Sequence, residues 1–308
     1  MQAFKDSTMS YFVNQLDKQD PKLHMPLMQV SYGRDVPLKT DVSFSNESTS
    51  FIRSSIAGGG TLSATGQPWV TSNNSVIPGV SLDGQRVVSP MRLLARNIDY
   101  TSVELERSQL LGQPIDNQKM MALNSVYQLN TDKYVYTGDT DVKVTGLINS
   151  SQVSTSAIGA TFKASTPDDI VAAINGLITT AWQASGYAIC PDTLGLPPEQ
   201  YAYIFTTKVS GQANMSIYQY ILQNAISLGQ NGRELNIVSM KWLKGAGVSG
   251  KDRMIAYTKN EEFVRIPLVP IRRENPYFQG ISFIAPYIWA YGELEFVYPE
   301  TVIYGDGI

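Results

Sequence analysis

The chain has 308 residues, 43% hydrophobic and only 17% charged, enough for one large domain or two modest ones. The low charge fits either a surface covered by neighbouring molecules or one on which Ser, Thr, Asn and Gln stand in for charges. A net charge of −3 argues against a protein that grips nucleic acid through many phosphates. No run approaches the roughly 18 apolar residues of a membrane helix, and Met1 to Asp20 lacks the apolar core of a secretion signal, so a soluble protein made in a cytoplasm is expected.

In chain order, Met1 to about Val42 opens with a short helical segment, Ala3 to Lys18. It then meets Pro21, Pro26 and Pro37, each of which discourages a continuing helix, so it reads as an extended arm. From Ser43 to about Gln85 the chain is rich in Ser, Thr, Asn and Gly, including Gly58-Gly59-Gly60, with few large apolar residues beyond Trp69 and Val70. Such a stretch cannot build a core of its own; it is a disordered linker or an excursion ordered by partners. Val87 to Tyr100 recovers strand-forming residues around Pro90, and the two flanks of the excursion can pair as the stem of a long hairpin.

Thr101 to Glu104 matches a capping box, which predicts a helix running to Leu111. Gly112 can end that helix and Pro114 suits the first position of the next, so two helical segments meet at Gly112-Gln113-Pro114. Met120, Leu123, Tyr127 and Tyr134 share a helical face, predicting a rod of about five or six turns over 114–137 that breaks at Gly138. After Tyr136-Thr137-Gly138-Asp139 and Gly146-Leu147-Ile148-Asn149 comes a Ser/Thr-rich connection.

Thr166-Pro167-Asp168-Asp169 opens an amphipathic helix, with Thr166 as cap, Pro167 at the first position, two acids at the positive end, and Ile170, Ile174, Leu177 and Ala181 on one face. It ends near Gly186. Tyr201 to Lys208 has strand composition, and a further helix is expected from about Ser216 to Leu228, stopping at Gly229. The remainder reads as strand over Glu234 to Leu243, Arg253 to Thr258, Phe263 to Val269, Ile281 to Ala285 and Gly292 to Val302. Helices and strands mix without regular alternation, which indicates an α+β fold whose subdomains share strands.

Catalytic constellations are scarce. One cysteine, Cys190, allows neither an internal disulfide nor a thiolate cluster. One histidine, His24, would have to serve any Cys/His dyad, Ser/His/Asp triad or zinc site, and it reads as a partly exposed arm residue. Gly245-Ala246-Gly247-Val248-Ser249-Gly250-Lys251-Asp252 satisfies a phosphate-loop pattern up to its last position, where Asp252 replaces the magnesium-binding hydroxyl. The segment that follows looks like a strand, so a Gly-rich hairpin loop is the expectation and a nucleotide-dependent enzyme the alternative. Asp139-Thr140-Asp141 lacks further ligands at calcium-loop spacing, and Glu261-Glu262 would point to opposite faces of a strand. No cofactor and no metal is expected. The aromatic last quarter, from Tyr277 to Tyr304, has few basic residues beside it and reads as sheet core with some subunit interface.

The order of these pieces resembles the major capsid proteins of tailed phages with the Hong Kong 97-type fold, in the branch that also resembles encapsulin shells. The resemblance rests on the arm, the polar hairpin, Asp83 to Pro90, Tyr100 to Leu105, Gly112 to Asp116, the long helix, and the two glycine-containing steps after it. It implies an N-terminal arm over 1–42, an extended loop over 43–99 and a peripheral domain with a spine helix over 100–165. A mixed α/β axial domain over 166–275 and return strands over 276–308 complete it. The implied role is a shell subunit forming hexamers and pentamers around double-stranded DNA without sequence-specific contacts. That shell would form in a bacterial cytoplasm, away from any membrane, with portal, separate scaffolding and decoration proteins as further partners. A nanocompartment shell that packages a cargo enzyme is the alternative.

In such shells the extended loop lies across a neighbour, which gives the polar excursion a purpose. No lysine occurs between Lys39 and Lys119, so the loop cannot supply the lysine of the cross-link some members make. The resemblance makes Arg53, Gly58, Gly59, Gly60, Trp69, Arg86, Arg92 and Arg96 candidates for the assembly interface. Gly112 and Pro114 become hinge candidates, and Gly245, Gly247, Gly250 and Lys251 candidates for an axial-tip loop.

Overall fold

A computed structural model describes residues 26–58, 80–111, 115–159, 161–209 and 215–308. The expected helix over 3–18, His24, Gly59, Gly60, Trp69, Gly112 and Pro114 lie outside them. The chain divides into two compact units, each assembled from separated stretches. The first comprises 1–30, 96–129 and 273–287, and the second 31–95, 130–272 and 288–308.

The elements, in chain order, begin with helix α1 (Tyr32–Asp35), β1 (Leu38–Lys39), β2 (Ser48–Gly58), β3 (Val80–Pro90), β4 (Arg92–Thr101), α2 (Ser102–Leu111) and α3 (Ile115–Thr137). They continue with β5 (Ser154–Ala157), α4 (Pro167–Ala184), β6 (Thr193–Leu196), α5 (Pro198–Thr206), α6 (Ile217–Asn224), α7 (Ile226–Asn231), β7 (Asn236–Ser239) and β8 (Arg253–Tyr257). The last are β9 (Val264–Arg273), β10 (Tyr277–Gln279), β11 (Ser282–Tyr291), β12 (Glu295–Phe296) and β13 (Ile303–Asp306).

In the first unit the capping box at the start of α2 forms as expected: Glu104 N–H donates to Thr101 Oγ1 at 3.2 Å while Thr101 N–H donates to Glu104 Oε2 at 3.4 Å. Lys119 Nζ, on α3, donates to Glu104 Oε2 at 2.8 Å and to the Asp99 carbonyl at 2.6 Å, tying the two helix starts together. The β10–β11 hairpin pairs Tyr277 with Ile284, and the Phe283 ring lies 5.1 Å from Phe278 and 6.2 Å from Tyr100.

The end of α3 explains both glycine motifs. A helix leaves its last four carbonyls without helical partners. Here Gly138 N–H donates to Tyr134 O, Leu147 N–H to Val135 O and Ile148 N–H to Tyr136 O, while Asn149 Nδ2 donates to Thr137 O. The chain thus folds back after the helix to satisfy all four. Gly138 has φ +67°, and a Cβ there would lie 2.1 Å from Val144 O; one on Gly146 would lie 2.3 Å from Tyr136 O. Backbone cannot move aside as a side chain can, so Gly146→Ala is expected to cost roughly 2–3 kcal/mol. A urea unfolding midpoint equal to that of the unmodified protein would sink this reading.

The buried line on α3 runs through Leu123, Tyr127, Thr131, Asp132, Val135 and Tyr136. Met120 is exposed and lines an open pocket instead, and Tyr134 is half-buried. On a 3.6-residue helix positions 120, 127 and 134 drift by only about 20° per seven residues, so the expected face is the packed one and Met120 is left uncovered on it.

The second unit holds a sheet of order β5-β13-β8-β6-β7, with β13 parallel to β5 and antiparallel to β8, and β6 antiparallel to β8 and parallel to β7. The helices α4, α5 and α6 cover it through Ile170, Ile174, Leu177, Ile204, Ile217 and Ile221, all buried in one cluster with Leu194, Met254 and Ile303. The cap of α4 is the predicted one, with Asp169 N–H donating to Thr166 Oγ1 and Thr166 N–H to Asp169 Oδ2, both at 3.3 Å. Elsewhere in this unit β1 runs parallel to β9 (Leu38 opposite Ile266) and β12 antiparallel to it (Glu295 opposite Arg265).

Several expectations are corrected. Tyr201 to Thr206 is helical, not a strand: Pro198 and Glu199 start α5, and Gln200 and Ile204, four residues apart, are buried on its inner face. That amphipathic burial overrides the β preference of the aromatic residues. The helix expected over 216–228 breaks at Ala225, whose backbone is extended, and its second piece runs past Gly229 to Asn231 before Gly232. The strand expected over 234–243 is β7 followed by a short 3₁₀ turn, Lys241–Leu243. Most of 292–302 is irregular, with only β12 extended. Glu261 and Glu262 sit in a turn ahead of β9.

Candidate functional site

Strands β2 and β3 form a ribbon in unbroken antiparallel register, from Ser48 opposite Pro90 to Gly58 opposite Val80. Its side chains alternate. One face, through Thr49, Phe51, Arg53, Val87 and Ser89, is buried or half-buried; the other leaves Ile52 at 72%, Leu82 at 70% and Val88 at 52% exposure. Ile52 is opposite Arg86, which is exposed on the same face. Gly84 gives Ile52 its room, since a Cβ there would lie 3.3 Å from Ile52 Cγ2.

The inner face is fastened at the ribbon's base. Thr49 Oγ1 donates to Glu295 Oε1 at 2.6 Å, and Arg265 Nε donates to Glu295 Oε2 at 2.6 Å. The Glu295 side chain is fully buried, so its charge is held by these two partners. Arg53 Nε and an Arg53 terminal nitrogen donate to the Val297 and Phe296 carbonyls at 3.2 and 3.1 Å. Replacing Glu295 by alanine would leave the Arg265 guanidinium without its carboxylate in a mostly buried place, at a cost of about 3 kcal/mol. Hydrogen exchange at 48–53 and 86–90 is expected to accelerate; unchanged protection there would show that the base is held by something else.

A second constellation lies around the carboxylate of Asp132, completely buried in α3. Asp132 Oδ1 accepts from the Ser31 and Tyr32 amides at 2.8 and 3.1 Å, capping α1 from outside. Its Oδ2 accepts from Trp242 Nε1 at 2.8 Å and lies 2.9 Å from Lys241 Nζ. One turn further on, the Tyr136 hydroxyl donates to Asp35 Oδ2, and Ser31 Oγ lies 2.9 Å from it. Arg34 forks onto Asp35 at 2.6 and 3.0 Å, and Tyr257 Oη donates to the Asp35 carbonyl at 2.8 Å. Burial, then the bond to Asp35, holds the Tyr136 hydroxyl well above its ordinary pKa. The arm's last segment is therefore locked to α3, β8 and the 3₁₀ turn at 241–243.

The Gly245–Lys251 loop is no phosphate cradle. Gly245 N–H donates to Asp252 Oδ1 at 2.9 Å, Gly247 N–H to the Lys251 carbonyl at 2.8 Å, and Val248 N–H to Asp306 Oδ2 at 3.1 Å. Its amides are thus turned onto the chain's own acceptors, and β8, not a helix, follows. Asp306 also takes Arg253 in a two-pronged pair at 2.6 and 2.8 Å.

The remaining sequence candidates scatter. Arg92 reaches the Val142 carbonyl at 3.3 Å and Glu293 at 3.9 Å; Arg96 is exposed on β4 and Lys251 on its loop. Gly58 ends β2. Asp139 Oδ1 accepts from the Asp141 amide at 2.9 Å, closing a turn. Among the described residues no group of acidic, histidine or cysteine side chains is placed to hold a metal. Asp132, Asp35, Glu295 and Asp306 were not singled out from sequence. The only hint was an acid beside the apolar line of α3, and its partners lie about a hundred residues away.

Among the described residues no helix is long and apolar enough to cross a membrane. A family model described as Major capsid protein matches residues 66–308. No curated protein matches the chain. Among solved structures, the capsid of Myoviridae phage XM1 is similar at 16% identity, with 96% of this chain and 98% of that chain covered and a TM-score of 0.80. The capsid of the native GTA particle is similar at 10% identity, 94% and 95% coverage and a TM-score of 0.63. Mycobacterium phage Ogopogo gives 11% identity, 96% and 98% coverage and a TM-score of 0.58. At these identities the likeness speaks for the fold, and it agrees with the capsid-type α+β architecture expected from the sequence.

Proposed function

The chain belongs to the major capsid protein family, and from that premise we propose that it builds the icosahedral shell of a tailed double-stranded DNA bacteriophage. One sequence would fill both hexamers and pentamers. The observation that carries this reading is the β2–β3 ribbon, anchored to its own chain at the base and showing Ile52, Leu82 and Val88 to solvent beyond it. A two-stranded sheet is marginal alone in water, and a neighbouring copy supplies the missing third layer.

In this reading the extended loop over 43–99 reaches across to the next subunit, and Arg86 and Arg96, which have no ion-pair partner among the described residues, supply cations for ion pairs there. Arg53 and Arg92 instead hold carbonyls of their own chain. The role is structural and not catalytic, and the DNA is enclosed without sequence-specific contacts, in keeping with a net charge of −3. Bends at Gly58 to Gly60 and at Gly112 to Pro114 accommodate the two ring sizes. The Gly245 to Lys251 loop lies at the axial tip, and portal, scaffolding and decoration proteins join the shell in the bacterial cytoplasm.

Negative-stain microscopy of the purified protein is expected to show closed shells or capsomer rings. A strictly monomeric species at every protein and salt concentration would overturn the reading. Particles from infected cells that carry DNA, with no cargo enzyme, separate it from the compartment alternative.

A further inference from the structure

The second unit carries a cleft between the end of α4 and the turn ahead of β9, away from the anchored carboxylates described above. We propose that it takes an arginine side chain presented by a different protein, with the guanidinium held between Glu262 and Glu300 and laid on the Tyr298 ring. The cleft has a volume of about 390 Å³ and an apolar floor of Ala188, Ile189 and Phe263, and no basic side chain lines it. Tyr298 is 44% exposed, with its ring 5.7 Å from that of Phe263.

The walls are fixed by the chain's own bonds. Ser185, which follows α4, accepts the Ile189 amide on its Oγ at 3.2 Å. On the other side Val297 N–H donates to the Phe263 carbonyl at 2.9 Å and Thr301 Oγ1 to the Tyr298 carbonyl at 2.8 Å. The two carboxylates are not used in this way. Neither the Glu262 nor the Glu300 side chain has a hydrogen-bond or ion-pair partner among the described residues, whereas Asp132, Glu199, Asp306 and Glu295 each meet a cation. The C-terminal end of α4 adds its own negative potential. An aromatic face beside carboxylates suits a guanidinium, which stacks and forks at once. The chain builds that same set internally, where Arg253 forks onto Asp306 while lying 4.5 Å from the Tyr304 ring centre. At the cleft the ring and the carboxylates belong to this chain and the cation comes from outside. With 24 basic residues against 27 acidic ones, the chain has no surplus of cations, which favours a different protein over a second copy as their source.

The test titrates the full chain, by calorimetry or nuclear magnetic resonance, with a capped leucine-arginine-leucine peptide and with the same peptide carrying citrulline, which keeps the shape of arginine without its charge. Saturable binding of the arginine peptide alone is expected, weakening as salt is raised. Glu262→Gln and Glu300→Gln are each expected to weaken it about tenfold, and Tyr298→Leu, which keeps the apolar floor but removes the ring, about threefold. All three residues are exposed, so the variants keep the fold. Glu261→Gln, next in sequence but outside the cleft, is expected to leave binding unchanged. No saturable binding, equal binding of the citrulline peptide, or equal loss from Glu261→Gln overturns the proposed site. Self-association that disappears in Glu262→Gln or Glu300→Gln during a sedimentation dilution series would put a second copy in the cleft and overturn the different protein as occupant. Peptide binding is read whether or not the chain forms shells, so its failure and that of the shell reading are told apart.

Discussion

Asp132→Ala is expected to destabilise the protein by about 3–5 kcal/mol. The carboxylate has no exposure and is met by donors from Ser31, Tyr32, Trp242 and Lys241. Removing it leaves two backbone amides and an indole N–H unsatisfied, and each buried donor that loses its acceptor costs about 1–3 kcal/mol. Lys241 remains partly exposed and can turn to water, so it contributes little to the loss. Asp132→Asn keeps one carbonyl oxygen for the Ser31 and Tyr32 amides and is expected to recover part of it. The measurement is urea unfolding of the unassembled chain, with hydrogen exchange at residues 31–36. An alanine variant within 1 kcal/mol of the unmodified protein would show that the arm is held by Tyr136, Asp35 and Tyr257 alone.

Asp306→Ala is expected to cost a similar amount, for a different reason. Arg253 and Asp306 are both buried, and the two-pronged pair sits against the Tyr304 ring, 4.5 Å from the guanidinium carbon. Arg253 also donates to the Ile148 carbonyl, and Tyr304 Oη donates to the Leu147 carbonyl at 2.6 Å. The C-terminal strand is thereby stitched to the segment that folds back over the end of α3. Loss of the carboxylate alone strands a buried guanidinium, whereas replacing both partners by apolar residues of similar size removes the desolvation burden as well. The double variant Arg253→Met with Asp306→Leu is therefore expected to be more stable than Asp306→Leu alone, with a coupling energy of about 2 kcal/mol. Additive losses in the two single variants and the double would contradict this account.

Both effects depend on contacts that span long stretches of chain, and this divides what could be read in advance from what could not. Local rules placed α2 through its Thr101–Glu104 box, α4 through Thr166 and Pro167, and the end of α3 at Gly138. The hairpin stem they put on the flanks of the polar excursion forms instead mostly within it, Ser48–Gly58 against Val80–Pro90, while Arg92–Thr101 pairs with β11. The same rules misread Tyr201 to Thr206, where the choice between strand and helix was made by burial of Gln200 and Ile204 against other elements.

The sequence by itself determined the class of the protein: a weakly charged α+β chain with one histidine and one cysteine, a long helix and a polar excursion too poor in apolar residues to fold alone. Only the tertiary structure decided which face of that excursion is spoken for, and that Asp132, Asp306 and Glu295 are buried anchors. The physical reason is range. Propensity, capping and periodicity depend on residues within a few positions of one another. A buried charge is tolerable only when partners arrive from distant segments, and which segments arrive is settled when the chain packs.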